Sequence, residues 1–134
     1  MKENEFKEIL NLKTIAVVGL SKHPEKPAHF VPKYMKEKGY KIIPVNPTAS
    51  EILGEKCYKN LLEIPLSIDI VNIFRPSNEV LPIVRDAITK NVKVIWMQEG
   101  IVNNEAAQEA LKHGLKVIMD KCIMKEHQKL GEMI

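Results

Sequence analysis

The residues best placed to do chemistry stand in Thr14-Ile-Ala-Val-Val-Gly-Leu-Ser-Lys22. A short, almost wholly apolar run meets a glycine, then a hydroxyl and a cation. A buried parallel strand that stops this way ends in a turn able to hold a phosphate. Gly19 lets backbone approach phosphate oxygens closely, Ser21 adds a donor and Lys22 a positive charge. Three other segments stop as sharply: Val45-Asn46-Pro47, Phe74-Arg75-Pro76-Ser77 and Met97-Gln98-Glu99-Gly100. Arg75 offers bidentate binding of phosphate oxygens. Pro47 and Pro76 remove amide donors and stiffen loop walls that can flank a flat base or an apolar tail. Each stop by itself reads equally well as a plain strand end. Together on one rim they point to a site.

Two departures argue against an ordinary nicotinamide cofactor. A Gly-x-Gly-x-x-Gly turn starting at Gly19 needs glycines where the chain has Ser21 and Pro24. The acidic residue that holds a ribose hydroxyl at the end of the second strand is replaced by Asn46-Pro47. The other chemistry-bearing residues offer less. His23, His29, His113 and His127 form no metal-ligand spacing beyond a loose Cys122 and His127 pair, which cannot fill a zinc shell. His23 lies on the expected rim, His113 in the last turn of a helix, and His127 reads as partly buried packing. Cys122 follows the last strand and reads either as a small buried apolar residue or as a thiol facing the rim. Glu99 and Asp120 stand near the rim, where Glu99 is expected to accept hydrogen bonds from loop amides. No catalytic constellation and no metal site is assigned.

The elements that must position these residues alternate. Strands are expected over 14–18, 40–45, 68–74, 92–97 and 115–119, with a weak strand near Ile52 and a short helix over Leu61-Leu62. Helices are expected after Asn4 as cap, from Ala28–Phe30 to a stop at Gly39, from a Ser77 or Asn78 cap through Ile88, and from an Asn103 cap to Gly114. A tail helix places Ile123, His127 and Leu130 on one face. Pro32 forces the second helix to begin nearby. Continuously apolar strands alternating with helices predict an α/β fold, a three-layer, doubly wound, mostly parallel sheet of five to six strands, in one Rossmann-like domain spanning 1–134. The expected order is 3-2-1-4-5, with room for a sixth strand. In such a sheet the four stops converge at the carboxyl ends of the strands.

Composition narrows the function. Of 134 residues, 45% are hydrophobic, enough for a core, and 28% are charged with mixed signs. A net charge of +3 suits an anionic small molecule and is too mild and scattered for nucleic acid. At 5% aromatic residues, stacking platforms for single strands are lacking as well. Two distant cysteines, Cys57 and Cys122, make no disulfide framework. The polar first residues and the lack of an apolar run near ~20 residues lead to a cytoplasmic expectation with no membrane partner.

With these loops placed, the chain resembles the small coenzyme A-binding proteins, relatives of the N-terminal domain of the succinyl-CoA synthetase alpha subunit. The matching text is Ile15-Ala-Val-Val-Gly-Leu-Ser21, Gly39-Tyr-Lys-Ile-Ile-Pro-Val-Asn-Pro47, Asp69-Ile-Val-Asn-Ile-Phe-Arg-Pro76, Val94-Ile-Trp-Met-Gln-Glu-Gly-Ile101 and Asp120-Lys-Cys122. The resemblance implies that Gly19, Leu20, Ser21 and Lys22 line the phosphates and that Val45, Asn46 and Pro47 border adenosine. It implies a further wall of Phe74, Arg75, Pro76 and Ser77, with Met97, Gln98, Glu99 and Gly100 beside the pantetheine path. Relatives often carry a basic residue where this chain has Thr48, which leaves the 3′-phosphate to Lys22 or Lys26. The phosphorylated histidine of the synthetase belongs to another domain, so a binding module for coenzyme A or an acyl-CoA is expected rather than an enzyme. A nucleotide-dependent enzyme on the same sheet, or a ligase subunit completed by another chain, stays open, as does self-association.

Overall fold

In the computed structural model, residues 3–132 are described. Helix α1 (Glu3–Leu10) leads into strand β1 (Thr14–Val18). Then follow α2 (Pro27–Glu37), β2 (Lys41–Val45), and the two-residue strands β3 (Glu51–Ile52) and β4 (Glu55–Lys56). A 3₁₀ turn at Leu61–Glu63 precedes β5 (Ile70–Ile73), and a second at Ser77–Glu79 runs into α3 (Val80–Thr89). The chain closes with β6 (Val94–Met97), α4 (Asn104–Lys112), β7 (Lys116–Ile118) and α5 (Ile123–Glu132).

The five main strands pair in parallel in the order β2-β1-β5-β6-β7. Because successive side chains point to opposite faces, each strand feeds two cores. Ala16, Val18, Val71, Ile73, Ile95 and Met97 pack under α3 and α4, against Val80, Val84, Ala106 and Ala110. Ile15, Val17, Ile70, Val94 and Trp96 face α1, α2 and α5, against Ile9, Val31, Met35 and Ile123. This is the expected three-layer α/β sandwich with a doubly wound sheet.

The strand order corrects the sequence reading. Counting only sheet strands, the order is 2-1-3-4-5, not 3-2-1-4-5. The apolar patch at Ile52 is too short to extend the sheet and instead folds on itself as the β3–β4 hairpin. The edge beside β2 is occupied by one parallel bridge, Val45 to Tyr58. The chain therefore reverses direction across the sheet between β1 and β5, and there the crevice opens.

Three helix starts also differ. Asn4 lies inside α1. Ser77 opens a 3₁₀ turn without a side-chain cap, because its Oγ accepts from the Val102 amide instead (3.0 Å). Asn103 does cap α4, its side chain accepting from Ala106 N at 2.9 Å. Helix α2 begins at Pro27, so Pro32 lies inside it. The missing Pro32 amide frees the Ala28 carbonyl, which accepts from Ser21 N (3.0 Å) and fastens the loop after β1 to the helix.

Candidate functional site

The loop after β1 is held from every side. Gly19 N donates to Val45 O (3.0 Å) and Phe74 N to Val18 O (2.8 Å), tying the three central strand ends together. Gly19 has φ +92°, and a Cβ there would meet the Phe74 carbonyl oxygen at 2.8 Å. Only glycine suits both the backbone angle and the approach. Ser21 is clamped twice: its amide donates to Ala28, and its carbonyl accepts from His29 Nδ1 (2.6 Å). His29 thus anchors the loop, a role its sequence position did not reveal.

Asn46 pins the neighbouring loop. Its Oδ1 accepts from Thr48 N (2.9 Å), Thr48 Oγ1 (3.1 Å) and Ala49 N (3.0 Å), and its Nδ2 donates to Leu20 O (3.0 Å). Its side chain is spent on holding two loops in register.

Between these loops lies a cleft of about 630 Å³. Of the residues singled out from sequence, it gathers Gly19, Leu20, Ser21, Lys22, Val45, Asn46, Pro47, Phe74 and Arg75. It adds Lys26, His23 and Thr48, already noted, and Lys59, Glu79 and Ile83, which were not. Lys22, Lys26 and Lys59 make no ion pair among the described residues, whereas Arg75 pairs with Glu79 (2.8 Å). Four cations against one carboxylate give the cleft a positive field.

A second, more apolar groove of about 460 Å³ adjoins it and shares Lys26, Ala28 and Phe74. It is lined by Phe30, Val31, Ile101, Met124 and Cys122, with Gln98 and Glu99 from the fourth loop. Glu99 accepts from Lys125 Nζ (2.9 and 3.1 Å), not from loop amides; the Gly100 amide donates to Asp120 Oδ1 (2.7 Å) instead. The Glu99 carboxylate holds the Lys125 ammonium above its ordinary pKa, chiefly through this hydrogen bond. Cys122 is buried in the groove wall.

Of the remaining residues, Met97, Pro76, Ser77 and Gly100 fall outside both spaces. Met97 is fully buried in the core under α3 and α4. Gln98 is buried, and its Oε1 accepts from Asn72 Nδ2 (3.1 Å) and Ile123 N (2.9 Å), locking the start of α5 onto the end of β6. No group of three or more His, Cys, Asp or Glu suited to a metal ion occurs among the described residues. No described helix is long and apolar enough to cross a membrane.

A glycine turn, a cationic cleft and a strand order with its crevice at β1 and β5 agree with a comparison against known families, in which residues 13–128 match the model described as a CoA binding domain. The chain belongs to the CoA binding domain family. It is 48% identical to the uncharacterized protein YneT of Bacillus subtilis (strain 168), over 92% of each chain. It is 34% identical to the alpha subunit of acetate–CoA ligase [ADP-forming] II of Pyrococcus furiosus, where the match covers 90% of this chain and 29% of the subunit. A solved structure of a hypothetical protein from Pyrococcus horikoshii OT3 superposes with a TM-score of 0.95 at 40% identity, over 97% of this chain and 92% of that one. The sheet and both faces of helices are therefore shared with this solved structure, and the chain aligns with part of two ADP-forming acetate–CoA ligase chains.

Proposed function

We propose that this chain binds coenzyme A or an acyl-CoA, with the 5′-diphosphate on Gly19–Lys22, adenosine against Asn46-Pro47, and pantetheine running past Phe74 into the apolar groove. The observation that carries the reading is the joined pair of spaces. A cationic cleft that continues into an apolar groove matches a ligand with a polyphosphate nucleotide at one end and a long, weakly polar arm at the other. The arm would end near Cys122 and Met124.

The binding reading needs no catalytic group. The carboxylate nearest the diphosphate, Glu79, is paired with Arg75, and Glu99 is paired with Lys125. Neither is positioned as a free acid or base. A second reading has a specific support: the chain aligns with part of a ligase alpha subunit. On that reading it presents the coenzyme to a partner chain that carries the chemistry.

Thermal shifts test the binding. A ligand at about 100 times its Kd stabilises by about 2.7 kcal/mol, a rise of several degrees in Tm. Coenzyme A is expected to give that rise and NAD and NADP a smaller one. Lys22→Ala is expected to weaken coenzyme binding by about 1.5–3 kcal/mol, the range for a charged hydrogen bond. No response to coenzyme A together with a shift from NAD would reverse the assignment. Retention of a larger chain through purification would favour the ligase-subunit reading.

A further inference from the structure

The strand ends set the cleft's cations in a fixed spatial order. From the edge inward, the rim runs Lys59, then Asn46-Pro47 after β2, then Gly19–Lys22 after β1, then Phe74-Arg75 after β5. Lys59 has this place because Tyr58 bridges Val45 beside β2: Tyr58 N donates to Pro44 O (3.0 Å) and Asn46 N to Tyr58 O (2.9 Å). On its other side, Asn60 caps the Leu61–Glu63 turn, and Leu61 is buried in the core. Lys59 is thus an exposed side chain on a backbone pinned at both ends.

A nucleotide bound as proposed puts its ribose at Asn46-Pro47. Its 5′-diphosphate extends inward to Gly19–Lys22, so a phosphate on the ribose 3′-oxygen extends the other way, toward the sheet edge. Thr48 cannot serve it with charge, and its hydroxyl already donates to Asn46. Lys22 and Lys26 belong to the diphosphate side. Asp86 borders a small recess beside Lys59 but makes no ion pair with it among the described residues. We infer that Lys59 reads the 3′-phosphate, so that the cleft selects 3′-phosphorylated adenosine nucleotides over their 3′-hydroxyl counterparts. This rests on the coenzyme A reading and goes beyond it by assigning a specificity residue at a position where sequence offered only Lys22 or Lys26.

Isothermal titration of wild type, Lys59→Ala, Lys59→Arg and Lys26→Ala against coenzyme A and dephospho-coenzyme A tests the assignment, with adenosine 3′,5′-bisphosphate and AMP as a pair lacking the pantetheine arm. Wild type is expected to prefer each 3′-phosphorylated ligand by roughly tenfold, the scale of one charge-assisted hydrogen bond. The preference is expected to fall near unity in Lys59→Ala, to recover in Lys59→Arg and to persist in Lys26→Ala. A preference unchanged in Lys59→Ala, lost in Lys26→Ala instead, or absent from wild type would overturn the role of Lys59 while leaving coenzyme binding intact. Failure of wild type to bind any of the four ligands would instead remove the coenzyme reading itself.

Discussion

Replacing Gly19 with alanine separates two costs that the site imposes on one residue. The first is conformational: at φ +92° an L-side chain costs about 1–2 kcal/mol. The second is contact. The new Cβ would sit 2.8 Å from the Phe74 carbonyl oxygen, a backbone atom that cannot swing aside like a side chain. Phe74 N is bonded to Val18 O and Gly19 N to Val45 O, so relief requires three strand ends to shift together. Forcing such a shift costs about 1–3 kcal/mol more. Gly39→Ala is the control. Its φ is +97°, yet a Cβ there meets nothing within 4 Å. Urea unfolding at 25 °C should therefore show Gly19→Ala losing about 2–5 kcal/mol and Gly39→Ala about 1–2 kcal/mol. For a chain of this length each kcal/mol is worth about 3–4 °C in Tm. Equal losses in the two variants would show that no close approach exists at Gly19, and the packed junction of the β1 and β5 loops would be wrong. The same geometry makes a larger residue at Gly19 a poor probe of binding alone, since it disturbs the fold first.

Glu79→Gln is expected to tighten coenzyme A binding two- to fivefold by releasing Arg75, a modest gain because the pair is half exposed and screened; titration calorimetry at low and high salt reads it. The pKa of His127 is lowered by burial and then by Lys38 and Lys13, so the folded state binds its proton more weakly than the unfolded chain. Stability is then expected to fall as pH drops below the ordinary value of 6.5, with the loss complete below the folded-state value, and His127→Gln should flatten that slope in urea melts between pH 7 and 5. Gln98→Leu strands the Asn72 and Ile123 donors and should cost about 2–4 kcal/mol, whereas Asn72→Leu removes a single donor and should cost about 1 kcal/mol; a reversed ranking in urea melts would refute the bridge between β6 and α5.

Strand cores and glycine stops were legible because both follow from local chemistry. Ile15–Val18 and Val94–Met97 are apolar throughout because both faces of a parallel sheet are covered, and the structure buries them so. Asn103 and Gly114 marked the ends of α4 for equally local reasons. What sequence hid was pairwise. The dual role of Asn46, the clamp of His29 on Ser21 and the pairing of Glu99 with Lys125 depend on which loops meet. Met97 ended the right strand but pointed inward, a distinction that one residue of register decides. Lys59 was invisible because the bridge at Tyr58 has no hydrophobic pattern: it is a single residue of sheet.

The arrangement at Pro32 shows how the loop after β1 is held in place. A phosphate loop needs donors facing outward, yet its own backbone must be satisfied to stay in place. In an unbroken helix the Ala28 carbonyl would bond residue 32; with proline there it is free to take Ser21 N. The Asn46 amide similarly takes Leu20 O, which faces the neighbouring loop. Both tethers come from outside the loop and leave its Leu20 and Lys22 amides without an acceptor among the described residues. On the proposed reading, the Lys22 amide, the Ser21 hydroxyl hydrogen and the lysines without an ion pair among the described residues supply the donors for the diphosphate. The loop's rigidity comes from tethers on Ala28 and Asn46, so on the proposed reading its donors would meet an anion without the loop being ordered at the moment of binding.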